Sequence, residues 1–292
     1  MSSVLVTGCN GYIGSHVVKQ LAEDGHQIEG WDIDIYGDDH NDVSQYLSAY
    51  HHMDVNNIDF CHDEFDAVVH LGGLSVVHQS MKTQTAYYET NIIGTHNMFK
   101  HITTPHFLFA STSSAWEMAS PYARSKVAAE DVIKEHADGY TIFRFFNVSG
   151  TDGKHKQIGP ATHLIRVAAE AAAGKREGMK IYGTDYDTRD GTCIRDYVHV
   201  CDLASAIAEA VLTGPRNTDY ECLGSNTGYS VREVIAKMKE VTGVDFKVEE
   251  DERRAGDAVI SVVDELSPLI HLNKKLDDMC LDQYNLERGK NA

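Results

Sequence analysis

Tyr122 and Lys126 stand four residues apart in Tyr122-Ala123-Arg124-Ser125-Lys126, and nine residues separate Tyr122 from Thr112. On a helix, that i, i+4 spacing puts the phenol and the ammonium on one face. An ammonium close to a phenol favours the phenolate and lowers its pKa, which would make Tyr122 a usable general base near neutral pH. A hydroxyl such as Thr112, at the end of a strand, can hydrogen-bond a reacting oxygen as charge develops there. YxxxK alone occurs by chance in many helices, so its weight depends on what precedes it. Here Gly8-Cys9-Asn10-Gly11-Tyr12-Ile13-Gly14, spaced GxxGxxG, follows an apolar strand and opens a helix. Glycines let the backbone turn tightly and approach a pyrophosphate, which the helix N-terminus then stabilises. Asp32 follows Gly14 by eighteen residues, at the end of the second strand. A carboxylate there accepts hydrogen bonds from ribose hydroxyls and repels a 2′-phosphate, favouring NAD over NADP. A plain strand-to-helix turn and a solvated loop acid are the alternatives, and Asp34 could stand in for Asp32.

These residues need a scaffold, and the chain predicts one. Val4-Leu5-Val6 and residues 27–31, 67–71, 107–110 and 141–145 are continuous apolar runs, as expected of a parallel sheet covered on both faces. Between the first two, Ile13, Val17, Val18 and Leu21 mark one face of a helix that stops near Gly25. Further helices are expected at about 84–102, 123–137, 162–173, 202–213 and 230–242. Strands alternating with helices imply right-handed crossovers and an α/β fold with a doubly wound parallel sheet. After about residue 150 the rhythm loosens. The expected division is therefore a dinucleotide-binding domain at 1–150 and a smaller substrate-binding α/β region at 151–292, with an approximate boundary that the chain can cross.

Composition narrows the function. The 292 residues, 42% apolar and 24% charged, have the balance of a globular protein. Acidic residues outnumber basic ones by 44 to 26, which argues against a nucleic-acid surface, since phosphate backbones are held by Lys and Arg. No run approaches a membrane span. Met1-Ser2-Ser3 leads directly into a strand, leaving no room for a signal peptide and pointing to the cytoplasm. Six cysteines at 9, 61, 193, 201, 222 and 280 form no CxxC pair and read as reduced thiols. The sixteen histidines include His96, His101 and His106, too unevenly placed around a helix to share a face. No metal-ligand spacing is present.

The chain resembles the extended short-chain dehydrogenase/reductase family almost end to end. The matching stretches are Val6-Thr7-Gly8 through Gly14-Ser15-His16, Val69-His70-Leu71-Gly72-Gly73-Leu74, Tyr87-Tyr88 with Asn91, Ser120 through Lys126, and Arg144-Phe145-Phe146-Asn147. A second group is specific to the family's sugar-nucleotide epimerases: Thr162-His163-Leu164-Ile165, Tyr182 through Thr188, Asp190 through Val200 with Asp202-Leu203-Ala204, and Arg253-Arg254-Ala255-Gly256-Asp257. The resemblance implies a Rossmann fold and a homodimer through the helices at about 84–102 and 123–137. It implies NAD contacts from Gly8, Gly11, Tyr12, Ile13, Gly14, Asp32, Asp54, Val55, Leu71, Gly72, Gly73, Asn91, Tyr122, Lys126 and Phe146. A UDP-hexose would be lined by Thr112, Asn147, Thr162, His163, Leu164, Tyr182, Arg195, Arg254 and Asp257. Ser261, four residues after Asp257, would border the sugar's C2 substituent, and its small size favours tolerance of an N-acetyl group. Arginine forks suit a diphosphate, although Arg195 and Arg254 could instead pair with surface carboxylates, and Ser261 could be an ordinary strand residue.

The implied reaction is reversible inversion at C4 of a UDP-hexose, with Tyr122 as the acid–base group, Thr112 on the 4-oxygen, and Lys126 on the nicotinamide ribose. Ser75 stands where the family has a lysine, Trp116 where it has a tyrosine, and the Thr112–Tyr122 loop is short. The tail after Asp264 is short and polar, predicting a reduced substrate lid. A 4,6-dehydratase is disfavoured because Ser113 and Ser114 occupy the places of its acidic pair. A UDP-glucuronate epimerase or decarboxylase is a nearer rival, and a non-catalytic NAD-binding sensor would not need Thr112, Tyr122 and Lys126 together.

Overall fold

The computed structural model describes residues 1–58, 63–254 and 256–289, so Cys61 and Ala255 lie outside the described residues. Two compact units emerge: Met1–Phe145 with Ala204–Glu221, and Phe146–Leu203 with Cys222–Ala292.

The first unit begins β1 (Ser3–Thr7), α1 (Tyr12–Glu23), β2 (Gln27–Asp32) and β3 (Ala49–His52). It continues with β4 (Asp63–Glu64), β5 (Ala67–His70), α2 (Val77–Ser80), α3 (Gln84–Tyr88) and α4 (Gly94–His101). Then come β6 (Ile102–Thr103), β7 (Phe107–Thr112), α5 (Pro121–His136) and β8 (Tyr140–Phe145). The main sheet runs β8-β7-β5-β1-β2-β3, and its ladders from β8 to β3 are parallel. Strand order reverses between β1 and β5. At such a reversal the loops leaving the strand ends diverge and open a crevice for a ligand. The loops after both strands carry glycines, at Gly8 and Gly72. Leu5, Trp31, Val68, Phe107, Phe109 and Ile142 from the sheet pack with Met98, Ala129 and Ile133 from the helices, burial that dominates the favourable side of folding.

One expected helix is interrupted. Residues 84–102 form α3 and α4 joined by a π-helical turn at Glu89–Ile93. Such turns insert an extra residue and cluster at functional sites. This one carries Asn91 into the interior, 1% exposed.

The second unit contains β9 (Asn147–Ser149), α6 (Leu164–Ala172), β10 (Gly178–Tyr182) and β11 (Ile194–His199). Then come α7 (Val200–Thr213) and β12 (Glu221–Leu223). β13 (Gly228–Ser230), α8 (Val231–Thr242), β14 (Lys247–Asp251), β15 (Ile260–Ser261) and α9 (Leu276–Glu287) complete the chain. β10 pairs with β14, while β11 pairs with β9, β13 and β15. A second core joins Ile165, Ala168 and Ala169 of α6 to Val234, Ile235 and Met238 of α8. α9 adds Leu276, Met279, Cys280 and Tyr284. The tail after Asp264 is therefore not simply polar: its apolar residues recur at i, i+3, i+4 and i+8, one helical face, and that face is core.

Candidate active site

The dinucleotide turn is built by backbone geometry. Gly8 has φ +71°, and its N–H donates to the Trp31 carbonyl at 2.7 Å. A Cβ on Gly8 would meet the Gly72 nitrogen at 2.9 Å, and one on Gly14 would collide with the Gly8 carbonyl. Glycine at these two positions lets two loops and the first turn of α1 crowd together. Gly11 caps α1 without a side-chain hydrogen bond, and no acid sits in the first turn, so the helix dipole is free to meet an anion.

Two carboxylates mark the end of β2. Asp32 accepts the Asn10 backbone N–H at 2.9 Å and those of Ile33 and Asp34 at 2.8 and 3.0 Å. Nearby, Ile33, His52, Met53, Asp54 and Asn57 line a cavity of about 350 Å³. Asp54 faces this cavity, whereas Val55 turns into the core, where a Cβ on Gly94 would press on it.

Interior hydrogen bonds tie the glycine turns to the acid–base residues. The Thr7 hydroxyl accepts the Gly72 N–H at 3.0 Å and meets His70 Nδ1 at 2.7 Å. His70 Nε2 lies 3.1 Å from the Thr95 hydroxyl, which donates to the Asn91 carbonyl at 2.7 Å. Burial holds the His70 pKa down to about 3, so the ring is a neutral connector. The Asn91 amide accepts the Leu74 N–H at 2.9 Å and donates to the Leu74 carbonyl at 3.0 Å and Ser125 Oγ at 2.9 Å. Asn91, an expected NAD contact, is buried and holds the Gly72–Leu74 turn against α5. Hydroxyls and a neutral histidine inside regular elements carry no sequence signal of this role.

Thr112 ends β7. Ser120 caps α5, accepting the Ala123 N–H at 3.1 Å, with Pro121 in the first turn, a pairing that favours helix initiation there. Tyr122 and Lys126 thereby start the helix, both buried. Burial pushes the Tyr122 phenol above its ordinary pKa, opposed by a hydrogen bond with Thr112. Lys126 is lowered to about 8 by burial, opposed by the charge of Glu130. Its ammonium lies 4.6 Å from the Phe109 ring centre. The expected lowering of the Tyr122 pKa by Lys126 is not found: burial raises the phenol, and only Thr112 opposes it. What remains is the Thr112 hydroxyl beside the buried phenol, which opposes that rise and can steady a reacting oxygen.

Behind these residues, Glu130 accepts a bidentate pair from Arg144, at 3.0 and 2.7 Å, and a hydrogen bond from Ser111. Arg144 also lies 5.0 Å from the Trp116 ring and 3.9 Å from the Tyr220 ring. Trp116 donates to the Tyr220 hydroxyl at 3.3 Å, so this departure from the family tyrosine closes over a buried ion pair.

In the second unit, exposed Thr162 and His163 precede α6, which begins at Leu164 without a side-chain cap. The Arg254 guanidinium stacks 3.7 Å from the Tyr182 ring, and exposed Asp257 donates its N–H to the Arg254 carbonyl at 3.4 Å. Arg195 and Ser261 are register partners on β11 and β15, so their side chains leave one face of that sheet. Asn147 donates to the Asp196 carbonyl at 3.1 Å, while Phe146 is buried at the start of the unit. Much of the 190–200 stretch is scaffold. Buried Asp196 accepts Ser225 Oγ at 2.7 Å and the N–H groups of Ser225, Asn226 and Val263 at 2.7, 3.0 and 3.3 Å. His199 is buried 3.3 Å from Asp282.

Residues 4–222 match the NAD dependent epimerase/dehydratase family, and the chain belongs to it. Among its relatives, the UDP-glucose 4-epimerase of Rhizobium meliloti (strain 1021) is 34% identical over 89% of this chain and 88% of its own. The enzyme of the same name from Halalkalibacterium halodurans is 35% identical over 87% and 85%. A UDP-glucose-4-epimerase from Stenotrophomonas maltophila, solved with bound NAD and formylated UDP-arabinopyranose, superposes with TM-score 0.85. It is 27% identical and covers 99% of this chain and 98% of its own. The UDP-Glc/GlcNAc 4-epimerase of Campylobacter jejuni gives TM-score 0.79 at 31% identity, covering 99% and 100%. Among the described residues no helix is long and apolar enough to cross a membrane.

Proposed function

We propose that the protein is an NAD-dependent epimerase that inverts C4 of a UDP-hexose, interconverting UDP-glucose and UDP-galactose. The observation that carries this reading is the buried acid–base set, Tyr122 and Lys126 one helical turn apart on α5 with the Thr112 hydroxyl beside the phenol, in the same unit as the Gly8–Gly14 turn. The relatives' activities support it, and neither a glucuronate enzyme nor a sensor is favoured. The start of α1, which no side chain caps, the glycine turns and Asp32 fit a dinucleotide: a helix N-terminus for a pyrophosphate and a carboxylate for ribose hydroxyls. Bound there, NAD would take a hydride from C4 and return it to the opposite face of the ketone. Tyr122 holds and returns the proton of the 4-hydroxyl, Thr112 steadies that oxygen, and Lys126 supplies positive charge beside them. Thr162, His163, Leu164, Tyr182, Arg195, Arg254 and Asp257 hold the UDP portion. Incubation with a panel of UDP-hexoses and separation of the epimers tests this; turnover of no UDP-hexose by protein that retains NAD would overturn it.

Two finer readings belong here. Ser261 shares a sheet face with Arg195 and is small, so UDP-N-acetylglucosamine should also be epimerised. A cytoplasmic homodimer through α3, α4 and α5 is proposed from the family resemblance; sedimentation at several concentrations tests the assembly.

A further inference from the structure

Asp34 lies two residues past the carboxylate that the dinucleotide reading uses, and its surroundings are built. It adopts φ +46°, an uncommon conformation for a residue with a side chain. One oxygen accepts Asn10 Nδ2 at 2.7 Å, and the other accepts the Tyr50 hydroxyl at 2.6 Å. Asn10 belongs to the glycine turn and gives its backbone N–H to Asp32, so a single residue spans both carboxylates. Each Asp34 oxygen also faces a histidine: His40 Nδ1 at 4.0 Å and His52 Nδ1 at 3.9 Å. His52 in turn lines the 350 Å³ cavity with Asp54.

We propose that Asp34 is a second specificity-determining carboxylate at the adenosine end of the cofactor site, which discriminates against a 2′-phosphate and is offset by protonation of His40. This rests on the NAD reading above. If Asp32 meets the adenosine ribose, Asp34, tied to it through Asn10, would set a second negative charge near a 2′-phosphate, and like charges repel. Burial opposes ionisation of Asp34, but hydrogen bonds from Tyr50 and Asn10 prevail and hold its pKa below the ordinary carboxylate value. The carboxylate therefore stays charged across the working range. The other charged groups facing this cluster are Asp32 beside Asp34, and Asp42 and Asp38 beside His40. His40 is raised above its ordinary value, first by its hydrogen bond to the Gly37 carbonyl and then by these acids, against burial. Acidification thus adds positive charge around Asp34 before it removes negative charge from it.

The test is equilibrium titration of the full-length protein, stripped of nucleotide, with NAD and with NADP at about pH 8 and about pH 5.5. Asp34→Asn should tighten NADP about fivefold at the higher pH and leave NAD within about twofold. Tyr50→Phe, which removes one holder of the carboxylate, should shift the ratio the same way by less. In the parent, preference for NAD should shrink several-fold on acidification. A 2′-phosphate also protonates near pH 6, so the His40→Asn variant isolates the histidine and should lose most of that change. Equal effects of Asp34→Asn on both dinucleotides, or an undiminished pH dependence in His40→Asn, would overturn the proposal. Binding of neither dinucleotide by the parent would overturn the cofactor reading itself.

Discussion

The site residues of the two units are held in opposite ways. In the first, Thr112, Tyr122, Lys126, Asn91 and Glu130 are all buried, and Thr112, Asn91 and Glu130 are hydrogen-bonded to neighbouring groups. In the second, Thr162, His163, Arg254 and Asp257 are exposed, and Arg254 rests on a tyrosine face with guanidinium donors to spare. Acid–base chemistry benefits from groups fixed in a low-dielectric interior, where nothing need reorganise at the moment of reaction. Gripping a flexible, highly charged ligand benefits from donors that stay available until it arrives. The first unit should therefore govern turnover and stability, and the second should govern affinity.

The sharpest way to break this contrast is Tyr122→Phe. Only the ionisable hydroxyl is lost, so kcat should fall 10²–10⁴-fold, the usual contribution of an acid–base group, with NAD retained. Near-normal turnover would remove Tyr122 from the mechanism. Glu130→Ala is next. It leaves the buried Arg144 guanidinium and Ser111 without their carboxylate, and breaking a buried pair costs about 3–5 kcal/mol. A urea midpoint within error of the parent's would contradict the geometry. In the second unit, Arg254→Ala should raise KM for a UDP-sugar about tenfold, the loss of one charge-assisted contact, with kcat nearly unchanged. A fall in kcat alone would erase the distinction between the units.

Acidity sharpens the contrast further. The depressed Lys126 pKa means that its ammonium is present below about pH 8 and lost above it. Turnover should therefore decline several-fold as pH rises past about 8, while the affinity for UDP stays level. A flat rate profile to pH 9.5 or so would count against a charged Lys126. The smallest effect is one of selectivity: Ser261→Tyr should suppress reaction of UDP-N-acetylglucosamine and spare UDP-glucose. Equal loss on both substrates, or no N-acetyl activity in the parent, would exclude Ser261 from the sugar's C2 side.

Legibility in the sequence followed the same division between local and distant causes. The β1–α1 turn could be read because glycine spacing is itself the requirement: Gly8 and Gly14 leave no room for a Cβ. Tyr122 and Lys126 could be read because one helical turn relates them. The π-helical turn could not, since it is set by Asn91 reaching Leu74, seventeen residues earlier, and Ser125, thirty-four residues later. The Thr7–His70–Thr95 connection was equally hidden, because burial alone turns an ordinary histidine into a neutral link. Strand β3 was missed because Tyr50, His51 and His52 are exposed and lack the apolar run of the inner strands. The α9 helix was different. Leu276, Met279, Cys280 and Tyr284 announced a face, but surrounding acids and lysines lowered the average enough to obscure it.

The lid of Trp116 over Arg144 also makes the molecule report on itself optically. The chain has two tryptophans. Trp31 is sealed in the sheet core at 1% exposure, whereas Trp116 is 46% exposed, on the loop that joins Thr112 to Tyr122. Their emission should consequently separate into a blue component that collisional quenchers cannot reach and a red one that they can. Trp116→Phe would leave only the blue signal, and any rearrangement of the Thr112–Tyr122 loop would be visible as a change in the red one.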